Sequence, residues 1–157
     1  WRAEIAAAMG ATHDPAGWYL SQEVPLFIKV PGTDLLRGER VVPAGHADVA
    51  PTLLALLGVD PAAYAFVGGN LLGEKLERAV VGEYGCWRTR THLFLQGDGS
   101  LDDGACIELA TMARVASSDC REGYHDAART EEISALVLQY DLQRAIHKEL
   151  DGKPEPG

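Results

Sequence analysis

The sequence contains no long hydrophobic run. In 157 residues no apolar stretch reaches about 18 residues, the length that marks a bilayer-spanning helix. The first residues also lack the basic and apolar segments of a secretory signal peptide. We therefore expect the chain itself to be soluble. Because it does not begin with Met, we expect Trp1 to be an internal residue of a longer protein or a processed end, with any targeting segment upstream.

Basic side chains are also scarce. Fourteen Lys and Arg residues stand against 23 Asp and Glu residues, which gives a net charge of -9. Nucleic-acid binding depends on clustered Lys and Arg that neutralise phosphates, and here the basic residues are scattered. We therefore predict no nucleic-acid partner, and a polyanionic ligand would need a local basic pocket.

Cysteine is too rare for a disulfide framework. The three cysteines are Cys86, Cys106 and Cys120, and none has the Cys-x-x-Cys spacing typical of zinc sites. Two interpretations stay open, buried thiols or a single disulfide. A zinc site formed by Cys86, His92 and Cys106 is the weaker hypothesis, and cysteine content alone does not indicate the compartment.

The first half of the chain has an α/β pattern. Residues 24–30 are mostly apolar β-formers closed by Pro31, which predicts a strand of a parallel sheet, buried on both faces. Residues 48–58 begin with Asp48, a typical helix cap, carry Pro51 in the first turn and stop at Gly. This predicts a Leu-rich helix packed deeply against the sheet.

The second half has a different pattern. Alternating apolar and polar residues at 88–96, followed by Gly- and Asp-rich turns and a strand at 105–109, predict an antiparallel meander of two or three strands. Thr130 is a plausible N-cap followed by two Glu residues in the first turn. An amphipathic helix is predicted from Thr130 to about residue 150, with a frayed tail at 151–157.

Two sequence phrases carry a family resemblance. VPLFIKVPG at 24–32 and HADVAPTLLALLGVD at 46–60 resemble, in order and spacing, the alkaline phosphatase and sulfatase superfamily. YAFVGGNLL at 64–72 narrows the resemblance to lipoteichoic-acid-synthase-type phosphoglycerol transferases. The implied fold class is α/β, the C-terminal portion of a sulfatase-like parallel-sheet sandwich with a small antiparallel meander and a C-terminal helix. The implied divisions are the α/β core at 1–75, the meander with its helix at 76–150 and a flexible tail at 151–157.

The resemblance implies an extracytoplasmic transferase. Such an enzyme uses a divalent cation, Mn or Mg with Ca as a third option, and a Thr nucleophile to take glycerol phosphate from phosphatidylglycerol. In that family the Asp-His metal ligands and the nucleophile lie upstream of the region that this chain resembles, and we find neither pattern here. We therefore expect no catalytic residue and no bound cation in the chain alone. The full-length protein is expected at the extracytoplasmic face of the bacterial cell membrane, attached through upstream segments.

Three side chains are candidates for substrate binding. His13 lies in a loop close in sequence to the absent metal segment, although an exposed loop histidine is the plainer interpretation. Lys29 lies near the end of the predicted strand, where it either faces the usual ligand crevice of a parallel sheet or extends into solvent. His46 precedes the Leu-rich helix and has no fixed family role to transfer.

Two other functions stay open. A sulfatase or phosphoric-ester hydrolase of the same superfamily would act on a sulfate or phosphate ester, and a sulfatase would carry a formylglycine-type Cys or Ser motif upstream. A non-catalytic binding domain or degenerate relative would keep the fold without the chemistry.

Overall fold

The structure is a computed structural model that describes residues 4, 7–8, 10, 14–32, 34, 37–73 and 77–151, with the side chains of 147 and 149–151 excepted. The chain divides into two compact units, Trp1–Val41 and Val42–Gly157. Most of the predicted tail at 151–157 lies outside the described residues.

The first unit contains a short helix, α1, at Pro15–Leu20. Asp14 caps it, because its carboxylate accepts the backbone N–H of Gly17 at 2.8 Å. Pro15 occupies the first turn, where the missing N–H of proline costs nothing.

Residues 24–30, which also belong to the first unit, form no strand. Val24 is 80% exposed and Phe27 is 87% exposed. Within the part of the chain that the structure describes, their backbone groups form no hydrogen bond. A strand needs a neighbour that satisfies its N–H and C=O groups, and the described residues supply none. The prediction of a strand buried on both faces is therefore wrong for this structure, although residues 24–30 are mostly apolar.

The second unit begins with the predicted Leu-rich helix. A 3-10 turn at His46–Asp48 leads into helix α2 at Val49–Leu56, and Gly58 follows with a φ of +77°. The helix, its early proline and its glycine stop are as predicted. Its packing is not, because only Pro51 and Thr52 are buried while Leu57 is 77% exposed. The outward leucines have no sheet to cover them among the described residues.

The meander is larger than predicted. Five strands follow one another in the antiparallel order β1-β2-β3-β4-β5, so each pairs with its neighbour along the chain. The prediction of an antiparallel meander is confirmed, and the described residues extend it beyond two or three strands. The strands are β1 Val80–Val81, β2 Trp87–Arg88, β3 His92–Leu95, β4 Ala105–Glu108 and β5 Ala113–Val115.

One face of this sheet forms the core with the helix at Arg121–Gln139. Trp87 pairs in register with Phe94, and Phe94 with Cys106, so the three share a face. The Trp87 and Phe94 rings stack with centroids 5.3 Å apart, and Tyr124 meets Phe94 edge-on at 5.7 Å. Cys120 completes this buried cluster, which holds the helix against the sheet.

The C-terminal helix begins earlier than predicted and is interrupted. Helix α3 spans Arg121–Gln139 and helix α4 spans Leu142–Asp151. Thr130, the predicted cap, lies inside α3, where its hydroxyl donates to the carbonyl of Asp126 at 2.9 Å. Asp141, with a φ of +47°, separates the two helices.

The architecture is therefore mixed α/β, with an antiparallel sheet and a C-terminal helix, as predicted, and the sheet has five strands among the described residues. None of the described strands runs parallel to another. Across the described residues, we find no helix that combines the length and apolarity needed to cross a membrane.

Candidate functional site

Asp48 is the buried polar centre of the second unit. Its side chain is 0% exposed, yet three groups donate to its carboxylate. One oxygen accepts the N–H of Gly45 at 2.8 Å, and the other accepts the N–H of Gly69 at 2.7 Å and the guanidinium of Arg78. A single carboxylate thus joins chain segments 21 and 30 residues away from it.

This arrangement corrects the predicted role of Asp48. Asp48 does occupy the N-cap position of α2, but its side chain makes no capping hydrogen bond to that helix. It turns back to the N–H of Gly45 and across to the loop at Gly69. Burial explains the preference, because a buried carboxylate needs strong donors, and Arg78 supplies a charged one.

Thr52 joins the same helix to the same loop. Its hydroxyl donates to the carbonyl of Asp48 at 2.6 Å and accepts the N–H of Leu71 at 3.0 Å. Thr52 is fully buried, so both hydrogen bonds are shielded from water. We call Asp48, Thr52 and Arg78, with the loop of residues 68–71 that they hold, the Asp48 cluster.

Glycine at position 68 lets that loop approach the 3-10 turn. A Cβ at Gly68 would overlap the backbone carbonyl of Ala47, so only glycine fits there without a shift of the main chain. Asn70 closes the loop locally, because its side-chain oxygen accepts the N–H of Leu72 at 3.0 Å. The Asp48 cluster therefore explains why the phrases at 46–60 and 64–72 carry Asp48, Thr52 and Gly68.

The three substrate-binding candidates fall in different places. His13 lies outside the described residues. Lys29 is exposed on the unpaired segment 24–30 of the first unit, so no strand directs it toward a crevice. His46 is exposed at the start of the 3-10 turn, two residues before Asp48. Their roles in substrate binding stay predictions, and His46 is the one with a defined structural setting.

The described residues offer no metal site. Among them, no group of three or more His, Cys, Asp or Glu side chains converges to hold an ion. The divalent cation implied by the family resemblance therefore does not fit the described part of this chain. No catalytic step through a cation is assigned to these residues.

A groove of about 300 Å³ lies where the sheet meets α3. Trp87 is buried beneath it, at 1% exposure. The indole Nε1 of Trp87 is buried without a hydrogen-bond partner among the described residues. The groove is lined by Gly85, Trp87, Gln96, Gly99, Tyr124, Ala127, Ala128 and Glu131.

Cys106 and Cys120 form a disulfide, with their Cα atoms 5.8 Å apart. Cys86 is the free thiol, and its sulfur accepts the N–H of Gln96 at 3.4 Å. Of the two interpretations that the sequence left open, the structure selects the single disulfide. The pairing joins β4 to the 3-10 turn that ends at Cys120, a tertiary contact that the cysteine spacing does not reveal.

Comparison with known proteins finds a relative whose sequence matches part of this chain. The sequence is 47% identical over 60 residues to lipoteichoic acid synthase 2 of Bacillus subtilis (strain 168). The match covers 38% of this chain and 9% of that relative, so the chain spans only a small share of the relative's length. No family model matches, and no solved structure matches. The match supports the predicted resemblance at the level of a lipoteichoic-acid-synthase-like sequence.

Proposed function

We propose that this chain is part of a phosphoglycerol transferase of the lipoteichoic acid synthase type, acting at the extracytoplasmic face of the bacterial cell membrane. The observation that carries the proposal is the 47% identity over 60 residues with lipoteichoic acid synthase 2. The reaction moves glycerol phosphate from a phosphatidylglycerol-type lipid to a growing chain. The nucleophile and the ligands of the divalent cation belong to segments outside this chain.

The Asp48 cluster acts as a scaffold in this proposal. Its carboxylate and hydroxyl are fully engaged with backbone groups and Arg78, so they are not available as a nucleophile or a general base. Their effect is to fix the start of α2, and with it the exposed His46, relative to the loop at 68–71. A rigid support of this kind positions a substrate-binding side chain without taking part in the chemistry.

The disulfide supports the extracytoplasmic location independently of sequence identity. Disulfides persist in secreted, periplasmic and cell-surface proteins and are rare in the reducing cytosol. Cys106 and Cys120 are both 1% exposed, so the bond is part of the core rather than a surface contact.

The full-length gene product that contains this chain is the material for the test. Reconstituted in vesicles of fluorescent phosphatidylglycerol with Mn²⁺, it is expected to release diacylglycerol and form glycerol phosphate oligomers. Hydrolysis of 4-nitrophenyl sulfate without diacylglycerol release would identify a sulfatase instead. If the circular dichroism spectrum shows folded protein and neither substrate is turned over, the result would support a non-catalytic domain and contradict the proposal.

His46 can be tested in the same assay. If its imidazole binds the phosphate of the lipid, His46→Ala raises KM about tenfold with little change in kcat, since a hydrogen bond to a charged group contributes about 1.5 kcal/mol. His125 is also exposed, in helix α3, and His125→Ala is the matched control with wild-type kinetics expected. Identical kinetics for the two variants would remove His46 from the substrate site.

A further inference from the structure

The two bonded cysteines lie at the junction of sheet and helix. Cys106 belongs to β4, and Cys120 immediately precedes α3, 14 residues further along the chain. Both side chains are 1% exposed, and they share a buried cluster with Trp87, Phe94 and Ala127. In the folded chain the bond is therefore closed off by aromatic rings and by the helix that it anchors.

The sheet separates this bond from the free thiol. Cys106 shares a face with Phe94 and Trp87, because these residues are paired in register. Cys86 directly precedes β2 and has an extended backbone, with φ −71° and ψ 147°, and successive residues of extended backbone point to opposite faces. The folded sheet thus keeps the Cys86 thiol away from the buried disulfide and disfavours exchange between them.

We propose that a thiol–disulfide oxidoreductase forms the Cys106–Cys120 bond during folding, before the aromatic cluster closes, and that this oxidation completes the second unit. The inference goes beyond the proposed transferase function and does not depend on it. Its basis is access: at 1% exposure neither sulfur can meet the active site of a protein oxidant once Trp87 and helix α3 are in place.

The oxidation balances as two thiol–disulfide exchanges. The thiolate of one cysteine attacks the disulfide of the oxidoreductase, forming a mixed disulfide and releasing one thiolate of the oxidant. The second cysteine, as thiolate, then attacks the substrate sulfur of the mixed disulfide, and the oxidoreductase leaves as a dithiol. The chain gives up two electrons and two protons.

The test uses the reduced 157-residue chain and a purified thioredoxin-type oxidase as the probe. Free thiols are counted by iodoacetamide labelling and mass spectrometry while folding is followed by circular dichroism. We expect the oxidase to form the bond in chain kept unfolded by urea, and about tenfold or more slowly in reduced chain first allowed to fold without oxidant, because access limits exchange. Equal rates from both starting states would overturn the order of events.

Cysteine variants test separately whether the disulfide is needed to complete the second unit. Cys106→Ala with Cys120→Ala is expected to give a chain whose amides at residues 105–108 and 121–127 exchange with deuterium faster than in the oxidised chain. Cys86→Ala is the control and is expected to keep wild-type protection, since Cys86 takes no part in the bond. A double variant with wild-type protection would show that oxidation is not needed to complete the unit. Neither result depends on whether the full-length protein is a transferase.

Discussion

Replacing Asp48 with Ala is expected to lower the free energy of unfolding by about 3–5 kcal/mol, the range for removing one partner of a buried ion pair. The variant leaves the guanidinium of Arg78 without its carboxylate and the N–H groups of Gly45 and Gly69 without their acceptor. Urea denaturation followed by circular dichroism measures the loss. Hydrogen exchange at residues 68–72 is expected to rise, because the loop loses its anchor.

Asp60 provides the matched control for this substitution. Asp60 is exposed, and its carboxylate accepts a local hydrogen bond from the N–H of Ala62 at 2.9 Å. Asp60→Ala is therefore expected to cost about 1 kcal/mol, as for a lost exposed cap. A double variant of Asp48 and Arg78 should be less unstable than the sum of the single changes. Equal losses for Asp48→Ala and Asp60→Ala would show that the buried carboxylate does not hold the loop.

Trp87→Ala is the second change with a large expected effect. The side chain is buried against Phe94 and against Gly123 of α3, so its removal leaves a cavity at the centre of the sheet–helix core. Truncations of this kind cost about 3–5 kcal/mol. The urea midpoint of the Trp87→Ala chain, read by circular dichroism rather than by fluorescence, is expected to fall accordingly.

Two further variants show whether the loss of stability comes from the aromatic cluster. Tyr84→Ala is the control, because Tyr84 is 90% exposed on the turn before β2. Trp87→Phe keeps a ring for stacking and loses an Nε1 group that has no hydrogen-bond partner among the described residues. Its cost is therefore expected to be clearly smaller than that of Trp87→Ala. If Tyr84→Ala were as damaging as Trp87→Ala, the aromatic cluster would not be the source of stability.

Local signals in the sequence predicted the elements whose structure is decided locally. Pro51 and Gly58 mark the ends of α2, and the turn residues at 97–99 mark the link between β3 and the rest of the meander. The segment 24–30 has an equally clear strand pattern but stays unpaired, because a strand forms only where a neighbour is present. Periodicity reports what a segment can form, while pairing depends on other parts of the polypeptide.

The candidate site was less predictable. The capping rule placed Asp48 at a helix end, which is correct, but assigned its oxygens to the wrong donors. Those donors, Gly69 and Arg78, are distant in sequence, and no local pattern connects them to Asp48. The start of α3 was missed for a related reason. Gly123 resembles a helix breaker, but it lies in the first turn of α3, where Trp87 occupies the space of a side chain.

The contact between Gly123 and Trp87 also bears on how this sequence can diverge. A Cβ at position 123 would overlap the indole ring, so each residue sets the size permitted to the other. A mutation that enlarges position 123 is tolerated only after position 87 has become smaller, and that order passes through an intermediate with a cavity, whereas the reverse order passes through one with a steric overlap. Substitutions at these two positions are therefore constrained to occur together and in a fixed order during evolution.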